Sequence, residues 1–396
     1  MKMQVSTKVS WVGKIDWEIK KFHGEEYSTH HGSTYNSYLI EDEKTALVDT
    51  VWLPYAKEFV ANLRSVITLE RIDYIIMNHG EQDHSGALPE LMRHIPDVPI
   101  YCTANAVKSL RGQYHQDWNF QIVKTGDRLS LGKTELTFVE VPMLHWPDSM
   151  ICYLSGEEIL FSNDAFGQHY AAQSLFNDAV DPAVLASEGL KYYANILTPF
   201  SRFVTQKIEA LGALNLSIRT ICPSHGVIWR DDPMQIVNKY LRWAADYQEN
   251  QITILYDTMW EGTRLMAEAI AVGIKEADPV VTVKLLNTAR RDKNDIITEV
   301  FRSKGILVGS STINKGILSS VAAIMEEIKG LAFKQKKAAA FGTYGWSGEG
   351  PKILGRLLAE AGFAVMEGEL RSLWNPDEQA ITVCREFGRR FAEYSR

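Results

Sequence analysis

The sequence predicts an α/β protein with two domains, residues 1–250 and 251–396. Three observations lead to this prediction. At roughly 100–200 residues per domain, a chain of 396 residues favours two domains. The first part reads as short strands in hairpins with helices between them, whereas the second part repeats strand and helix strictly. A strict repeat is typical of a doubly wound parallel sheet, because each parallel strand needs a crossover connection.

Composition excludes several classes of protein. Hydrophobic residues make up 45% and charged residues 23%, which is ordinary for a globular chain, and the net charge is −7. An acidic chain is a poor partner for nucleic acid, because phosphate binding needs a basic face. There is no apolar run of about 18 residues and no apolar signal segment in MKMQVSTKVS, so we expect a cytoplasmic protein without a membrane partner.

The four cysteines lie far apart and form no CxxC pair, so this chain does not build a rubredoxin-type or zinc-ribbon site. We expect them to be buried free thiols.

The elements of the first domain follow from local patterns. The segment 37–50, SYLIEDEKTALVDT, reads as strand, polar turn and strand. Helical apolar spacing predicts a helix over 55–67 and another over 85–96, and 71–80 reads as a buried strand between them. TELTFVEV, MICYLSG and EEILFSND add further strands. The histidine and carboxylate clusters fall where these strands end.

The second domain begins with the strand ITILYDT at 252–258. Four more strands follow, in VTVKLLN, KGILVGSST, KAAAFGTYG and AVMEGELRS, and a helical pattern comes after each of the five. The stretch 244–251, AADYQENQ, is the predicted joint between the domains.

The stretch 78–86, NHGEQDHSG, places His79, Glu81, Asp83 and His84 within six residues. Alternation after a strand predicts that positions 79, 81 and 83 point to one side, and the next residue starts a helix that can point back. Ligands held by one short turn are preorganised for a cation.

Three further residues of metal-binding type follow other strands. His145 lies in MLHWPDS, Asp164 in FSNDAFGQH and His225 in CPSHGVIW. A single histidine of this kind is more often a core or turn residue. Four histidines and three carboxylates at strand ends are instead enough for two metal ions, so we predict a binuclear site.

The order of these residues resembles the metallo-β-lactamase superfamily, whose signature is HxHxDH followed by a distant His, Asp and His. Here Glu81 replaces the second histidine. Zinc in such sites favours nitrogen, and an added carboxylate shifts the preference towards iron or manganese. Together with the strand–helix repeat of the second domain, the pattern resembles the flavodiiron proteins. This resemblance implies a metallo-β-lactamase-like αββα sandwich followed by a flavodoxin-like doubly wound sheet.

The resemblance also implies a ligand set for two non-haem iron ions. The first ion would be held by His79, Glu81 and His145. The second would be held by Asp83, His84 and His225, although family members differ in whether the residue at position 84 is a ligand. Asp164 would bridge the two ions.

His23 and Tyr193 resemble the pair of residues that lies beside the metal ligands in this family. Their role would be to donate hydrogen bonds or protons to a bound diatomic molecule. His169 lies five residues after Asp164, but we do not expect it to be a metal ligand.

The stretch 256–263, YDTMWEGT, follows a strand and opens a helix. Hydroxyl groups, a glycine and a helix N-terminus favour a phosphate. The absence of GxxxxGK[ST] and of GxGxxG argues against a nucleoside triphosphate and a dinucleotide. The loop resembles the FMN-phosphate loop of flavodoxins, provided that Glu261 points away from the phosphate.

Two more loops, 309–316 and 341–350, lie at strand C-termini, where such sheets bind ligands. Tyr344 and Trp346 could flank an isoalloxazine ring, or they could be ordinary rim aromatics. The predicted FMN-binding residues are Thr258, Met259, Trp260, Gly262, Thr263, Ser310, Thr312, Ile313, Asn314, Gly342, Tyr344, Gly345, Trp346, Ser347 and Gly348.

The resemblance implies reduction of NO to N₂O, of O₂ to water, or of both, at a di-iron site that receives its electrons from FMN. Rubredoxin or a reduced deazaflavin would be the electron donor, and a head-to-tail homodimer or a dimer of dimers would bring FMN close to iron. The metal ligands serve both gases, so they do not decide between them. The alternatives are a binuclear zinc hydrolase and a non-catalytic flavin electron carrier.

Overall fold

The computed structural model describes residues 2–396, which form two compact units. The first unit ends at Leu241 and contains all described residues before it except Ala194–Pro199. That short segment and Arg242–Arg396 make up the second unit. The predicted joint, residues 244–251, lies just inside the second unit.

The first unit is built on two main sheets. Its strands are β1 (Met3–Gln4), β2 (Val9–Trp11), β3 (Lys14–Asp16), β4 (Lys21–Phe22), β5 (Tyr27–Ser28), β6 (Ser33–Tyr35), β7 (Tyr38–Glu41), β8 (Thr45–Val48), β9 (Tyr74–Ile76), β10 (Ile100–Cys102), β11 (Phe120–Ile122), β12 (Arg128–Ser130), β13 (Glu135–Glu140), β14 (Met150–Ser155), β15 (Ile159–Asn163) and β16 (Thr220–Pro223). Seven of them pair in the order β1-β2-β7-β8-β9-β10-β11, and five pair in the order β12-β13-β14-β15-β16. Strands β3 and β6 form a small separate pair, as do β4 and β5.

One buried core joins these two sheets. Val48 and Ile76 of the larger sheet belong to the same apolar cluster as Phe138 and Phe161 of the smaller sheet. Two sheets that share one apolar core form a sandwich. The predicted sandwich is therefore confirmed.

The helices of the first unit are α1 (Ala56–Val66), α2 (Gln82–Ser85), α3 (Leu88–Met92), α4 (Ala104–Tyr114), α5 (Pro182–Tyr192) and α6 (Ser201–Ala213), and α7 (Met234–Ala244) runs across its end. Helix α1 buries Phe59, Val60 and Leu63, which lie on one face at helical spacing. The helix predicted over 85–96 is wrong in extent, because the chain forms two short helices there. Pro89 lies in the first turn of α3, where its missing N–H is tolerated. Inside one continuous helix over 85–96, the same proline would interrupt the hydrogen bonds.

Asp42 links the turn after β7 to the turn before β13 by hydrogen bonds. Its Oδ2 atom accepts hydrogen bonds from the backbone N–H and the hydroxyl of Thr134, at 2.7 and 2.8 Å, and its Oδ1 atom pairs with Lys8. Burial alone would raise the pKa of Asp42, but the hydrogen bonds from Lys8 and Thr134 lower it from 3.8 to about 2. The charged form is therefore the one that stabilises the fold.

Asp42→Asn is expected to lower the free energy of unfolding by about 1–3 kcal/mol at neutral pH, because hydrogen bonds to a charged group are lost. The folded pKa lies below the unfolded value, so the contribution of Asp42 is complete above about pH 4 and disappears as the pH falls towards 2. Urea midpoints of the parent and the variant should therefore converge as the pH is lowered. Asp117→Asn, on an exposed ion pair with Arg111, is the control for a surface charge. A difference that grows on acidification would contradict this assignment.

The second unit is a parallel sheet flanked by helices. Its strands are β17 (Glu249–Asp257), β18 (Thr282–Asn287), β19 (Ser303–Ser310), β20 (Lys337–Tyr344), β21 (Ala364–Val365) and β22 (Leu370–Leu373). Its helices are α8 (Gly262–Ala277), α9 (Lys293–Arg302), α10 (Ser319–Leu331), α11 (Gly350–Glu360) and α12 (Glu378–Tyr394). The sheet order is β18-β17-β19-β20-β21, and every pair in it is parallel. The predicted doubly wound sheet is confirmed.

The last predicted strand, AVMEGELRS, is divided in two. Strands β21 and β22 pair in turn with β20, and Gly368 between them has a φ of +81°. A left-handed backbone angle interrupts a strand, and glycine adopts it without strain.

Among residues 2–396, no helix has both the length and the apolar character required to cross a bilayer.

Candidate metal centre and flavin site

The motif NHGEQDHSG, residues 78–86, forms a loop followed by one helical turn at the site. Strand β9 ends at Ile76, three residues before His79, and α2 begins at Gln82. Positions 79, 81 and 83 do face one site, but the predicted alternation is not the cause, since alternation holds only in extended chain. The loop positions His79 and Glu81, while the helical turn positions Asp83 and His84.

All seven predicted ligands converge in the first unit. In each of three groups, the candidate ligand atoms lie within 4.8 Å of one another. The groups are His79–Glu81–His145, Asp83–His84–His225 and His79–His84–Asp164. Two triads of two histidines and one carboxylate are thus joined through Asp164.

Asp164, directly after β15, lies between the two triads. Its Oδ1 atom is 3.0 Å from His84 Nε2 and 3.6 Å from His225 Nε2. Its Oδ2 atom is 3.6 Å from His145 Nε2 and 3.8 Å from His79 Nε2. One oxygen therefore faces each pair of histidines, which is the arrangement a bridging carboxylate needs.

Each triad also has a carboxylate of its own. Glu81 Oε2 lies 3.2 Å from His79 Nε2 and 3.6 Å from His145 Nε2. Asp83 Oδ2 lies 3.0 Å from His225 Nε2, and it lies 3.3 Å from the Nε2 atom of His84. The donor set is therefore mixed nitrogen and oxygen on both sides.

Two of the histidines are oriented by their other ring nitrogen. His79 Nδ1 lies 2.9 Å from Asp148 Oδ1, and His225 Nδ1 lies 2.7 Å from the carbonyl oxygen of Thr34. A carbonyl can only accept, so His225 carries its proton on Nδ1. The Nε2 atom of each ring is then directed towards the carboxylates, as in metal-binding histidines.

Buried carboxylates and imidazoles shift one another's pKa values in this site. Burial would raise the pKa of Glu81, but hydrogen bonds from His23 and His79 lower it to about 2. Burial would lower the pKa of His84, but the charges of Asp83 and Asp164 raise it to about 9. The carboxylates are thus anionic at neutral pH.

The donor set fits two cations. Asp83 Oδ1 and Asp164 Oδ2 are buried, and neither has a hydrogen-bond partner among the described residues. A buried carboxylate oxygen without a partner is costly unless it is paired or coordinates a metal. Mixed imidazole and carboxylate ligands suit iron.

The two residues predicted beside the ligands have different positions. His23 Nε2 lies 3.3 Å from Glu81 Oε1, on the oxygen that faces away from the other histidines. The hydroxyl of Tyr193 instead lies 3.0 Å from Ser201 Oγ. Its neighbour Tyr192 lies 3.3 Å from Asp164 Oδ1 and donates to it. Tyr192, which sequence reasoning missed, therefore contacts the predicted bridging carboxylate, and the role of Tyr193 stays a prediction.

A cavity of about 410 Å³ opens beside these ligands. Its lining includes Glu81 and Asp83 from the motif, together with His23, Tyr35 and Trp146. The cavity is large enough for a diatomic molecule.

His169, which we did not expect to be a ligand, is buried and hydrogen-bonded through Nδ1 to Ser33 Oγ at 2.7 Å.

The second unit has a cavity of about 440 Å³ at the C-terminal ends of its strands. The predicted residues that line it are Met259, Trp260, Gly262, Thr312, Tyr344, Gly345 and Trp346. It is also lined by four residues that sequence reasoning missed, namely Ser311, Thr343, Trp374 and Asn375. The first two adjoin predicted positions, whereas the last two lie after β22, in a segment without a recognised motif.

The other predicted flavin-site residues support or adjoin this cavity. Thr263 is buried, and its hydroxyl lies 3.0 Å from Ser311 Oγ and 2.8 Å from Thr343 Oγ1. Ser310 Oγ accepts a hydrogen bond from the backbone N–H of Leu318 at 2.9 Å.

The remaining predicted positions, Ile313, Asn314, Gly342, Ser347 and Gly348, lie in the same two loops or at the end of β20. Ile313 exchanges backbone hydrogen bonds with Gly316. A β-carbon at Gly342 would clash with the carbonyl oxygen of Ser310, and one at Gly348 would make a tight contact with the Tyr344 ring.

The start of α8 fits a phosphate group. The Oγ1 atom of Thr258 is buried and has no hydrogen-bond partner among the described residues. Glu261 pairs with Arg264 on the exposed side. A buried hydroxyl beside a helix N-terminus is suited to an anion.

This fold and these sites define a class of protein, in which a β-lactamase-like domain with a binuclear metal centre is joined to a flavodoxin-type domain. Residues 34–226 match the family model described as ODP family beta lactamase, and residues 254–388 match the model described as flavodoxin.

Similar proteins identify the family. An anaerobic nitric oxide reductase flavorubredoxin of Escherichia coli O1:K1 is 56% identical over 394 residues, which are 99% of this chain and 82% of the relative. The rubredoxin oxygen:oxidoreductase of Desulfovibrio gigas has a TM-score of 0.96 and 37% identity, with 100% of this chain and 98% of that chain covered. The flavodiiron protein of Giardia intestinalis has a TM-score of 0.94 and 32% identity, with 100% and 97% covered. The chain belongs to the flavodiiron protein family. FMN and a di-iron site are the cofactors that membership implies.

Proposed function

We propose that this chain is an FMN- and di-iron-dependent oxidoreductase that reduces NO to N₂O, O₂ to water, or both. The observation that carries the proposal is Asp164, whose two oxygens face two separate pairs of histidines. The names of the relatives include a nitric oxide reductase and an oxygen oxidoreductase, so they support both gases. A flavodoxin domain on the same chain argues against a zinc hydrolase.

We assign the ligands as the distances group them. His79, Glu81 and His145 would hold one iron ion, Asp83, His84 and His225 the other, and Asp164 would bridge them. His84 is included because its Nε2 atom lies within 3.3 Å of carboxylate oxygens of both Asp83 and the bridging Asp164. When bound, the two ions supply electrons to the diatomic substrate, and FMN restores those electrons.

The surrounding residues would prepare the site for this chemistry. His23 would orient Glu81 through its outer oxygen and hold a proton at Nε2 close to the substrate. Tyr192 would hold Asp164 in its bridging position. Trp146, whose ring lies 5.1 Å from that of His79, would exclude water from one wall of the cavity.

In the second domain, which we place at 251–396 after a metal domain at 1–250, Thr258, Gly262 and Thr263 would surround the FMN phosphate. Tyr344 and Trp346 would flank the ring system.

We further propose that rubredoxin or a reduced deazaflavin is the donor and that a head-to-tail homodimer, alone or within a dimer of dimers, brings FMN to iron. Large apolar side chains around the flavin cavity support such an association, because Trp260, Trp346 and Trp374 are 81%, 90% and 62% exposed.

The test is to reduce iron- and FMN-loaded protein anaerobically with excess rubredoxin and to follow NO and O₂ consumption separately at matched concentrations. Faster NO loss with N₂O formation would identify a nitric oxide reductase, and faster O₂ loss without peroxide an oxygen reductase. If the loaded protein consumes neither gas with rubredoxin or with a reduced deazaflavin, the proposed function is wrong.

Asp148→Asn is expected to weaken iron binding about 10–100-fold, because the carboxylate that orients His79 would be replaced by an amide. Iron content after dialysis against a graded series of chelator concentrations measures the effect. Asp73→Asn, which alters a partly buried ion pair with Lys44 away from the site, is the matched control. Unchanged iron retention in Asp148→Asn would show that His79 does not depend on this hydrogen bond.

A further inference from the structure

The cavity beside the metal ligands has a polar group for which the fold provides no partner. Tyr35, the last residue of β6, lines this cavity and has no exposed surface. Its hydroxyl has no hydrogen-bond partner among the described residues. A buried hydroxyl without a partner costs stability, so a protein that keeps one at a ligand cavity gains from it in the bound state.

The position of Tyr35 is tied to one of the two ligand triads. The preceding residue, Thr34, accepts the hydrogen bond from His225 Nδ1, and the Thr34 hydroxyl accepts one from the backbone N–H of Gly226. The Tyr35 ring also packs edge-on against the His225 ring, at 6.1 Å between centroids. These contacts therefore hold Tyr35 beside His225, a member of the triad that contains Asp83.

His23 occupies the corresponding place on the other side. It contacts Glu81, the carboxylate of the first triad, and lines the same cavity. The cavity is thus lined by Glu81 with the imidazole that contacts it, and also by Asp83 and the phenol of Tyr35.

The phenol remains a donor under all working conditions. Burial raises the pKa of Tyr35 far above its ordinary value, and the charges of Asp16 and Asp83 raise it further. Tyr35 therefore keeps its proton and can donate one hydrogen bond.

We propose that the Tyr35 hydroxyl donates a hydrogen bond to the small ligand in this cavity, on the side of Asp83, His84 and His225. The inference rests on the proposed function for the nature of the substrate, a diatomic molecule with an electron-rich outer atom. Tyr35 is then a substrate-binding residue, which complements His23 on the opposite side.

Tyr35→Phe tests this inference, because it keeps the ring and removes only the hydroxyl. The probe is azide, a small anion with an electron-rich outer atom, titrated by absorbance into the oxidised, iron-loaded protein. We expect the dissociation constant of azide to rise about three- to tenfold, the amount that one hydrogen bond contributes. Azide binding needs no turnover, so this result is independent of whether NO and O₂ are consumed.

Tyr55→Phe is the matched control. The Tyr55 ring lies 5.8 Å from that of Tyr35, and its hydroxyl donates to Asp16 Oδ2 at 2.6 Å. This control should leave azide affinity unchanged and lower the thermal midpoint of the iron-free protein. Tyr35→Phe should leave that midpoint unchanged or raise it, because no intramolecular hydrogen bond is lost.

Two results would overturn the inference. An azide dissociation constant in Tyr35→Phe within error of the parent would show that the hydroxyl makes no contact with the ligand. A clear fall in the thermal midpoint of iron-free Tyr35→Phe, comparable with that of Tyr55→Phe, would show that the hydroxyl serves the fold instead.

Discussion

Asp164→Ala is expected to abolish turnover with NO and with O₂ together. The loss should exceed the roughly 10–100-fold effect of changing a group that merely orients a metal ligand. Asp164 is the residue whose two oxygens face both pairs of histidines, so in the proposed site its removal would take a ligand from both ions at once. Without this buried negative charge, the remaining imidazoles and two carboxylates would hold two ions less tightly.

Iron content per chain and consumption of each gas measure this effect, and FMN content should not change. Asp117→Ala, an exposed carboxylate of the same unit that pairs with Arg111, should keep full iron and full turnover. A variant of Asp164 that retains two iron ions and parental rates with both gases would refute the bridging assignment.

Thr258→Val is expected to weaken FMN binding about 10–100-fold. The Thr258 hydroxyl is buried and lacks a partner in the protein, and a hydrogen bond to a phosphate is charge-assisted. Valine has nearly the same shape, so the loop before α8 should keep its conformation. Titration of the flavin-free protein with FMN, followed by quenching of flavin fluorescence, gives the affinity.

Thr258→Ser retains the hydroxyl and should bind FMN with nearly the parental affinity. Thr258→Val should not destabilise the flavin-free protein, because removing a buried hydroxyl without a partner costs little. If the valine variant binds FMN as tightly as the parent, the phosphate does not contact this residue. Loss of FMN together with a lower unfolding midpoint would point to a damaged fold.

Local patterns predicted the regular elements well where the sequence is strictly periodic. Helices α8, Gly262–Ala277, and α9, Lys293–Arg302, follow strands β17 and β18, as the strand–helix repeat predicts. The prediction failed where tertiary contacts interrupt a pattern. The helix expected over 85–96 is divided before Pro89, and the last strand is divided at Gly368 because its two parts pair with different ends of β20.

The candidate site shows the same division. Its seven metal-type residues were recognisable because their identity and order along the chain are properties of the sequence. The contact of Tyr192 with Asp164 escaped sequence reasoning, because helix α5 ends at Tyr192 and a π-helical segment starts at the next residue. Tyr192 and Tyr193 are both buried, and the groups that each hydroxyl contacts depend on the helix phase at that junction, which residue type does not reveal.

The sequence by itself determined the ligand chemistry and the class of protein. Glu81 in place of a histidine favours iron, and the strand–helix repeat with its phosphate loop indicates a flavin, because both depend on side-chain type and local spacing. Only the tertiary structure decided how the site is held together. Asp148 lies 69 residues from His79, and Thr34 lies 191 residues from His225. Contacts over such separations arise from the tertiary packing of distant segments, which no local pattern encodes.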